Sequence, residues 1–186
     1  MTRLAVLIDW PYDMVNTKYM MSMLASGVCS EPDVFFIQVG TPNQDVGANY
    51  AIKYALENGA DEILSVCCDQ MVPKGLLDRF RSHGVDCVGA LTATRQAGHA
   101  WLTYQFDADL GFVQTDPTEP FQRVDSMAGC WWAKRSVFER VPMPWFFTTT
   151  DPTGSELVVT SDFNFFAKVF KALFYIVAHI ILWLMK

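Results

Sequence analysis

Four short apolar runs, each bounded by turn signals and separated from the next by a stretch with helical spacing, occupy the first 91 residues. That alternation constrains the fold more than any other feature of the chain. Leu4–Ile8 is closed by Asp9-Trp10-Pro11, Val34–Val39 by Gly40-Thr41-Pro42-Asn43, and Glu62–Val66 by the polar tip CCDQMVP; Val85–Leu91 follows Gly84. Runs this short, without strict alternation, suit strands buried on both faces. Thr17–Ala25 carries Tyr19, Met20, Met23 and Leu24 at helical spacing and ends at Gly27. Val46–Asn58 puts Ala51, Tyr54 and Ala55 on one face before Gly59, and Lys74–His83, led in by Pro73, presents Leu76, Leu77 and Phe80. Strand–helix alternation predicts a parallel α/β sheet, with ligands at the carboxyl ends of its strands. Asp9, Gln38 and Asp69 would then face one cleft.

After Leu91 the pattern changes. Residues 92–123 read as loop, with Gly98, Gly111, Pro117 and Pro120, and one strand at Ala100–Phe106. Val124–Ala133 reads as a strand broken at Gly129, Lys134–Arg140 as a short helix, and Pro142–Gly154 as an aromatic loop; Asp162 opens a last helical stretch. With 186 residues, 51% apolar and 18% charged, a single ordered domain is expected, divided into an α/β half over 1–91 and a loop-rich, antiparallel half over 92–186. The formal charge of −6 argues against broad adhesion to nucleic acid or anionic membrane, which needs a basic face. Five cysteines without a C-x-x-C pair read as reduced, mostly buried residues of a cytoplasmic protein rather than a zinc site or disulfide framework. The first apolar run meets Asp9 and Pro11 too early for a signal peptide.

Four motifs then stand in order: DWPYD (9–13), ANYAIKYALENGADEIL (48–64), CDQMVPKGLLDRF (68–80), and VDSMAGCWWAKRSVFERVPMPWF (124–146) with TSDFNFFAKV (160–169). Taken together they resemble the nucleotide-sugar glycosyltransferases of the GT-A, family-2-like kind, in particular the compact versions of bacteriophages. The resemblance spans nearly the whole chain. It implies a Rossmann-related, mostly parallel sheet flanked by helices, with 1–91 as the nucleotide-binding half and 92–186 as the acceptor side. The departures are specific. Cys68 and Gln70 stand where the family has two metal-facing carboxylates, leaving Asp69; Ala48-Asn49 replaces an Arg-Asn pair, and Ser161-Asp162 a Glu-Asp pair.

The resemblance also implies an activity: transfer of a sugar from a nucleotide-diphosphate donor, such as a UDP-sugar, to an acceptor hydroxyl, with inversion. Negative charge grows on the leaving phosphate, and Mn²⁺ or Mg²⁺ held by carboxylates normally stabilises it. Asp69 is the metal or ribose contact on this reading, or else a cap of the following segment. Asp162 is the base that takes the acceptor proton, in a setting that is equally an N-cap. Asp9, Tyr12, Asn49 and Asp125 are donor contacts, with a structural turn as the alternative for the first two and loop fixation for Asp125. Trp131, Trp132 and Trp145, with Phe146, form either an acceptor wall or plain core. His179 is a third metal ligand by resemblance, or a satisfied core histidine in its apolar setting. Cys68 is too soft to suit such a cation and reads as core. Asp107-Ala108-Asp109, the literal Asp-x-Asp of the chain, reads as a solvated turn.

Residues 172–185 (ALFYIVAHIILWLM) lack Lys, Arg, Asp and Glu but fall short of the roughly 20 residues a bilayer span needs. They are expected to pack on the sheet, or else to touch a membrane or a second subunit. The acceptor stays open between a modified DNA base, a protein and a glycan. Two rival classes stand beside the transferase: a degenerate GT-A-like protein that binds nucleotide or glycan without catalysis, and a nucleotidyltransferase, which wants at least two metal-binding acids.

Overall fold

The computed structural model describes residues 1–9, 17–39, 43–68, 70–92, 100–107, 109, 111–119, 121–127, 129–150, 153, 157–159, 164–169 and 172. The chain divides into two compact units, Met1–Ala90 with Gly129–Val137, and Leu91–Ala128 with Phe138–Lys186.

In the first unit, strands β1 (Leu4–Asp9), β2 (Val34–Val39) and β3 (Glu62–Cys67) alternate with helices α1 (Thr17–Ser26), α2 (Gln44–Glu57) and α3 (Leu76–Ser82), followed by β4 (Cys87–Gly89). β1 pairs in parallel with both β2 and β3. The expectation of a parallel sheet holds for these three strands. β8 (Trp131–Lys134) enters antiparallel between β3 and β4, which leaves β4 running the same way as the first three strands and the sheet mostly parallel, as expected. The five-stranded order is β2-β1-β3-β8-β4, a mixed, mostly parallel sheet flanked by helices, of the Rossmann-like GT-A kind. The segment Gly129–Val137 therefore belongs with the first unit, although it lies in the second half of the sequence.

One face of the sheet builds a core from Leu4, Val6, Leu64, Val66 and Trp132, covered by Tyr19 and Met23 of α1 and Leu76, Leu77 and Phe80 of α3. Ala5, Leu7 and Ile63 alternate to the opposite face and are equally buried, as are Ala51, Ile52 and Ala55 of α2. Two expected helix faces shift. On α1 the buried residues are Tyr19, Ser22, Met23 and Ser26, whereas Met20 and Leu24 are exposed. The serines tolerate burial because Ser22 donates to Tyr19 O at 2.7 Å and Ser26 to Met23 O at 2.6 Å. On α2, Tyr54 faces outward and stacks on Tyr50 instead of packing inward. Gly27, at φ 91°, ends α1 in the left-handed region that a side chain would strain.

The second unit has a three-stranded antiparallel sheet, β5 (Thr103–Asp107) between β6 (Gly111–Gln114) and β7 (Ser126–Met127), and a small ribbon of β9 (Thr149–Thr150) with β10 (Leu157–Val159). The run expected as one strand with a break is two strands in different sheets. Gly129, at φ 110°, separates β7 from β8. Helix α4 (Arg135–Arg140) follows β8, and residues 164–169 are helical. Phe165 is fully buried, stacked 4.6 Å from Phe146 and 5.8 Å from Phe138, which meets Trp145 edge-on at 5.7 Å. Among the described residues, no helix is long and apolar enough to cross a membrane. Nearly all of the apolar 172–185 tail lies outside them.

Candidate functional site

β1 and β3 run side by side, with Asp9 opposite Cys67, and β2 ends at Val39 on the other side of Asp9. The chain leaving β1 goes to β2 on one side; the chain leaving β3 goes on to β4 at the opposite edge. The carboxyl ends of β1 and β3 are thus the point where strand order reverses, which is where open α/β sheets hold their ligands. Two sequence motifs separated by some fifty residues, DWPYD and CCDQ, begin at adjacent strand tips there.

The segment after β3 is held from α1. Val72 N–H donates to Ser22 Oγ at 3.0 Å, and Gly75 N–H to Ser26 O at 3.0 Å. Directly after the strand, Gln70 N–H donates to Cys67 O at 3.1 Å. Val72 is buried in the core and Cys68 packs against it, as expected for Cys68. Sequence reading missed Ser22 and Ser26. Their signal was spacing: two small polar residues four apart, on the stripe that also carries Tyr19 and Met23. Tyr19 lies beneath this tip, and burial, with the thiols of Cys68, Cys130, Cys67 and Cys29 adding to it, pushes its hydroxyl well above the usual tyrosine range.

The residues proposed from sequence are distributed as follows. Tyr12, Asp69, Asp162 and His179 lie outside the described residues. Asp9 is placed by its backbone at the end of β1. Asn49 sits half-buried on α2, its Nδ2 donating to Asp45 O at 2.7 Å. Asp125 fixes a strand: its Oδ2 accepts from Phe106 N–H at 2.9 Å while its own N–H donates to Tyr104 O at 3.0 Å. The acceptor wall is corrected to core. Trp131 and Trp132 are 3% and 1% exposed on β8, and Trp132 is enclosed by the first unit's core. Trp145 is buried in the second unit, its Nε1 donating to Val141 O at 2.9 Å. Asp107 Oδ1 accepts from Asp109 N–H at 2.9 Å between β5 and β6, the solvated turn expected there.

The metal ligands expected from sequence, Asp69 and His179, lie outside the described residues. The described residues contain no group of three His, Cys, Asp or Glu side chains able to hold a metal ion. Beside position 69 stand a soft thiol committed to the core and a neutral carboxamide, neither of which replaces a carboxylate.

No family model matches this chain, and no curated protein matches it. The chain is similar to several solved structures, two of which illustrate the likeness. One is A197 from STIV, at a TM-score of 0.59 and 16% identity, covering 90% of this chain and 78% of that one. The other is 4-diphosphocytidyl-2C-methyl-D-erythritol synthase from Anaerococcus prevotii DSM 20548, at 10% identity and a TM-score of 0.42, too low to carry an argument; it covers 91% of this chain and 96% of that one. What the chain shares with A197 over most of its length is the fold.

Proposed function

We propose that the protein is a glycosyltransferase that uses a nucleotide-diphosphate sugar, a UDP-sugar in the first instance. The observation that carries this reading is the adjacency of Asp9 and Cys67 at the strand-order reversal, which brings the DWPYD and CCDQ tips to one place. Asp9 and Tyr12 would hold the base, and Asp69 would contact the ribose or diphosphate. In the transfer, an acceptor oxygen bonds to the anomeric carbon as the bond from that carbon to the diphosphate oxygen breaks. Asp162 takes the acceptor proton, and the nucleoside diphosphate leaves with the electron pair. Mn²⁺ or Mg²⁺ would stabilise the charge on the leaving diphosphate, with Asp69 and His179 as the residues that would hold it. The acceptor is a hydroxyl of a modified DNA base, a protein or a glycan.

A second reading is favoured by one specific observation, the loss of carboxylates on both sides of Asp69: a fold that binds the nucleotide without turning it over. Release of nucleoside diphosphate from a panel of nucleotide sugars, with thermal shift by UDP in parallel, separates the two. Release that is lost in Asp162→Asn supports the transferase. A thermal shift without release supports the binder, and neither signal removes both.

A further inference from the structure

The helical stretch over residues 164–169 is fastened to a single loop at two points. Asn164 Nδ2 donates to Phe147 O at 2.6 Å and to Thr149 Oγ1 at 3.1 Å. Lys168 Nζ donates to Pro144 O at 2.6 Å and to Pro142 O at 3.3 Å, and lies 4.7 Å from the centre of the Phe147 ring. Asn164 and Lys168 are four positions apart and so share one helix face. A helix this short is marginal by itself. Phe165, Phe166 and Val169 already bury its apolar side. The polar clamp adds little buried area; what it adds is a fixed rotation and a fixed position along the loop.

Asp162 stands two positions ahead of Asn164 in the chain and six ahead of Lys168. We infer that Asn164 is a positioning residue for Asp162: its carboxamide, clamped to Phe147 and Thr149, sets where the chain enters the helix and hence where the carboxylate meets the acceptor hydroxyl. The inference rests on the proposed function, in which Asp162 takes the acceptor proton. That transfer needs the base within hydrogen-bond reach of the hydroxyl, about 2.6–3.2 Å, so a small shift of the entry point is felt directly. The chemistry of the two clamps fits their places. A cation beside a carboxylate favours its charged form and weakens it as a base. The neutral amide holds the end next to Asp162, and the ammonium holds the end a turn further on.

The test compares the two ends of the clamp on the full chain. Release of nucleoside diphosphate is measured with the active member of a panel of nucleotide sugars, with the melting temperature alongside. Asn164→Ala is expected to lower kcat at least about tenfold with the donor KM unchanged, because Asp9, Tyr12 and Asp69, the proposed donor contacts, are not on this helix. Lys168→Met also gives up two bonds and lowers the melting temperature, but leaves kcat unchanged. A purely structural clamp would treat both variants alike. Thr149→Val removes one of the two acceptors at nearly constant volume and lowers kcat by less than Asn164→Ala; it decides the matter if Asn164→Ala does not fold. Equal losses of kcat in Asn164→Ala and Lys168→Met, or full kcat in folded Asn164→Ala or Thr149→Val, overturn the inference and leave the transferase standing. No release by the unaltered protein, or release that survives Asp162→Asn, overturns the proposed role of Asp162 and the inference with it.

Discussion

Ser22 Oγ accepts the backbone N–H of Val72 at 3.0 Å while donating to Tyr19 O at 2.7 Å, so one hydroxyl of α1 ties down the segment that carries the β3 tip. Both ends of that bond are buried. Ser22→Ala leaves the Val72 N–H unsatisfied, which costs about 1–3 kcal/mol. Chemical denaturation reads that loss. On the proposed function, nucleotide binding weakens as well, because the bond fixes Val72, three positions along the chain from Asp69. An unchanged denaturation midpoint would show that the segment is held elsewhere.

A guanidinium shared by two carboxylates anchors the other end of the same sheet. Arg81 Nη2 lies 2.7 Å from Glu62 Oε2 and Arg81 Nη1 2.9 Å from Glu31 Oε2. Desolvation works against the charged guanidinium, yet the hydrogen bonds to Glu62 and Glu31 outweigh it and raise the Arg81 pKa. The Glu62 side chain is 11% exposed. Removing Arg81 therefore strands a carboxylate that water reaches poorly. Arg81→Met is expected to cost about 2 kcal/mol, between an exposed pair and a fully buried one. The double variant Arg81→Met/Glu62→Leu should recover much of that loss. Thermal melting of the two proteins decides it; equal losses would mean that packing, not charge, sets the cost.

Trp132 was a candidate for an acceptor wall and is a core residue. Its ring is 1% exposed among Leu64, Val66 and Val88, and its Nε1 has no hydrogen-bond partner among the described residues. Trp132→Ala removes the largest fully buried side chain among the described residues and is expected to cost about 3–5 kcal/mol. Trp132→Phe keeps most of the volume and gives up no bond, so it should cost markedly less. If instead Trp132→Phe abolished sugar-nucleotide turnover with stability intact, the ring would belong to the site after all.

These cases show what local pattern carries and what it does not. β1, β2 and β3 were legible because a buried parallel strand announces itself as a short apolar run between turn residues. The α1 face was misread at Met20 and Leu24, since Ser22 and Ser26 lose their polarity to carbonyls of their own helix, and hydropathy does not see that. The destination of β8 was invisible. WWAK reads as a strand in any sheet, and its place between β3 and β4 is decided by partners about seventy and forty-five residues away. At the site, the tips after Asp9 and Cys67 could be assigned to one end of the sheet because strand direction dictates it. Asp125 could not be assigned, because its partner is the main-chain N–H of Phe106 and any carboxylate in that register would look the same.

Thiol burial gives the protein an alkaline limit with a definite sign. Cys130 is 5% exposed, and burial pushes its pKa from 9.0 to about 12; Cys87 is likewise pushed to about 12 by burial, with the Asp86 carboxylate adding to it. A folded-state pKa above the unfolded value means that the folded chain keeps protons the unfolded chain would lose. The stabilisation from these thiols is fully present below pH 9 and drains away as pH rises from about 9 toward about 12. Tyr19, raised in the same direction, adds to the trend. The melting temperature should therefore fall steeply above pH 9, and less so in Cys130→Ala at matched ionic strength. The same burial orders the reactivity, since the thiolate is the nucleophile. Cys29 is exposed and should be alkylated first at pH 8, while Cys130 waits for unfolding. Mass spectrometry of partially alkylated protein reads the order, and early modification of Cys130 would show that this face of the sheet opens far more readily than its packing allows.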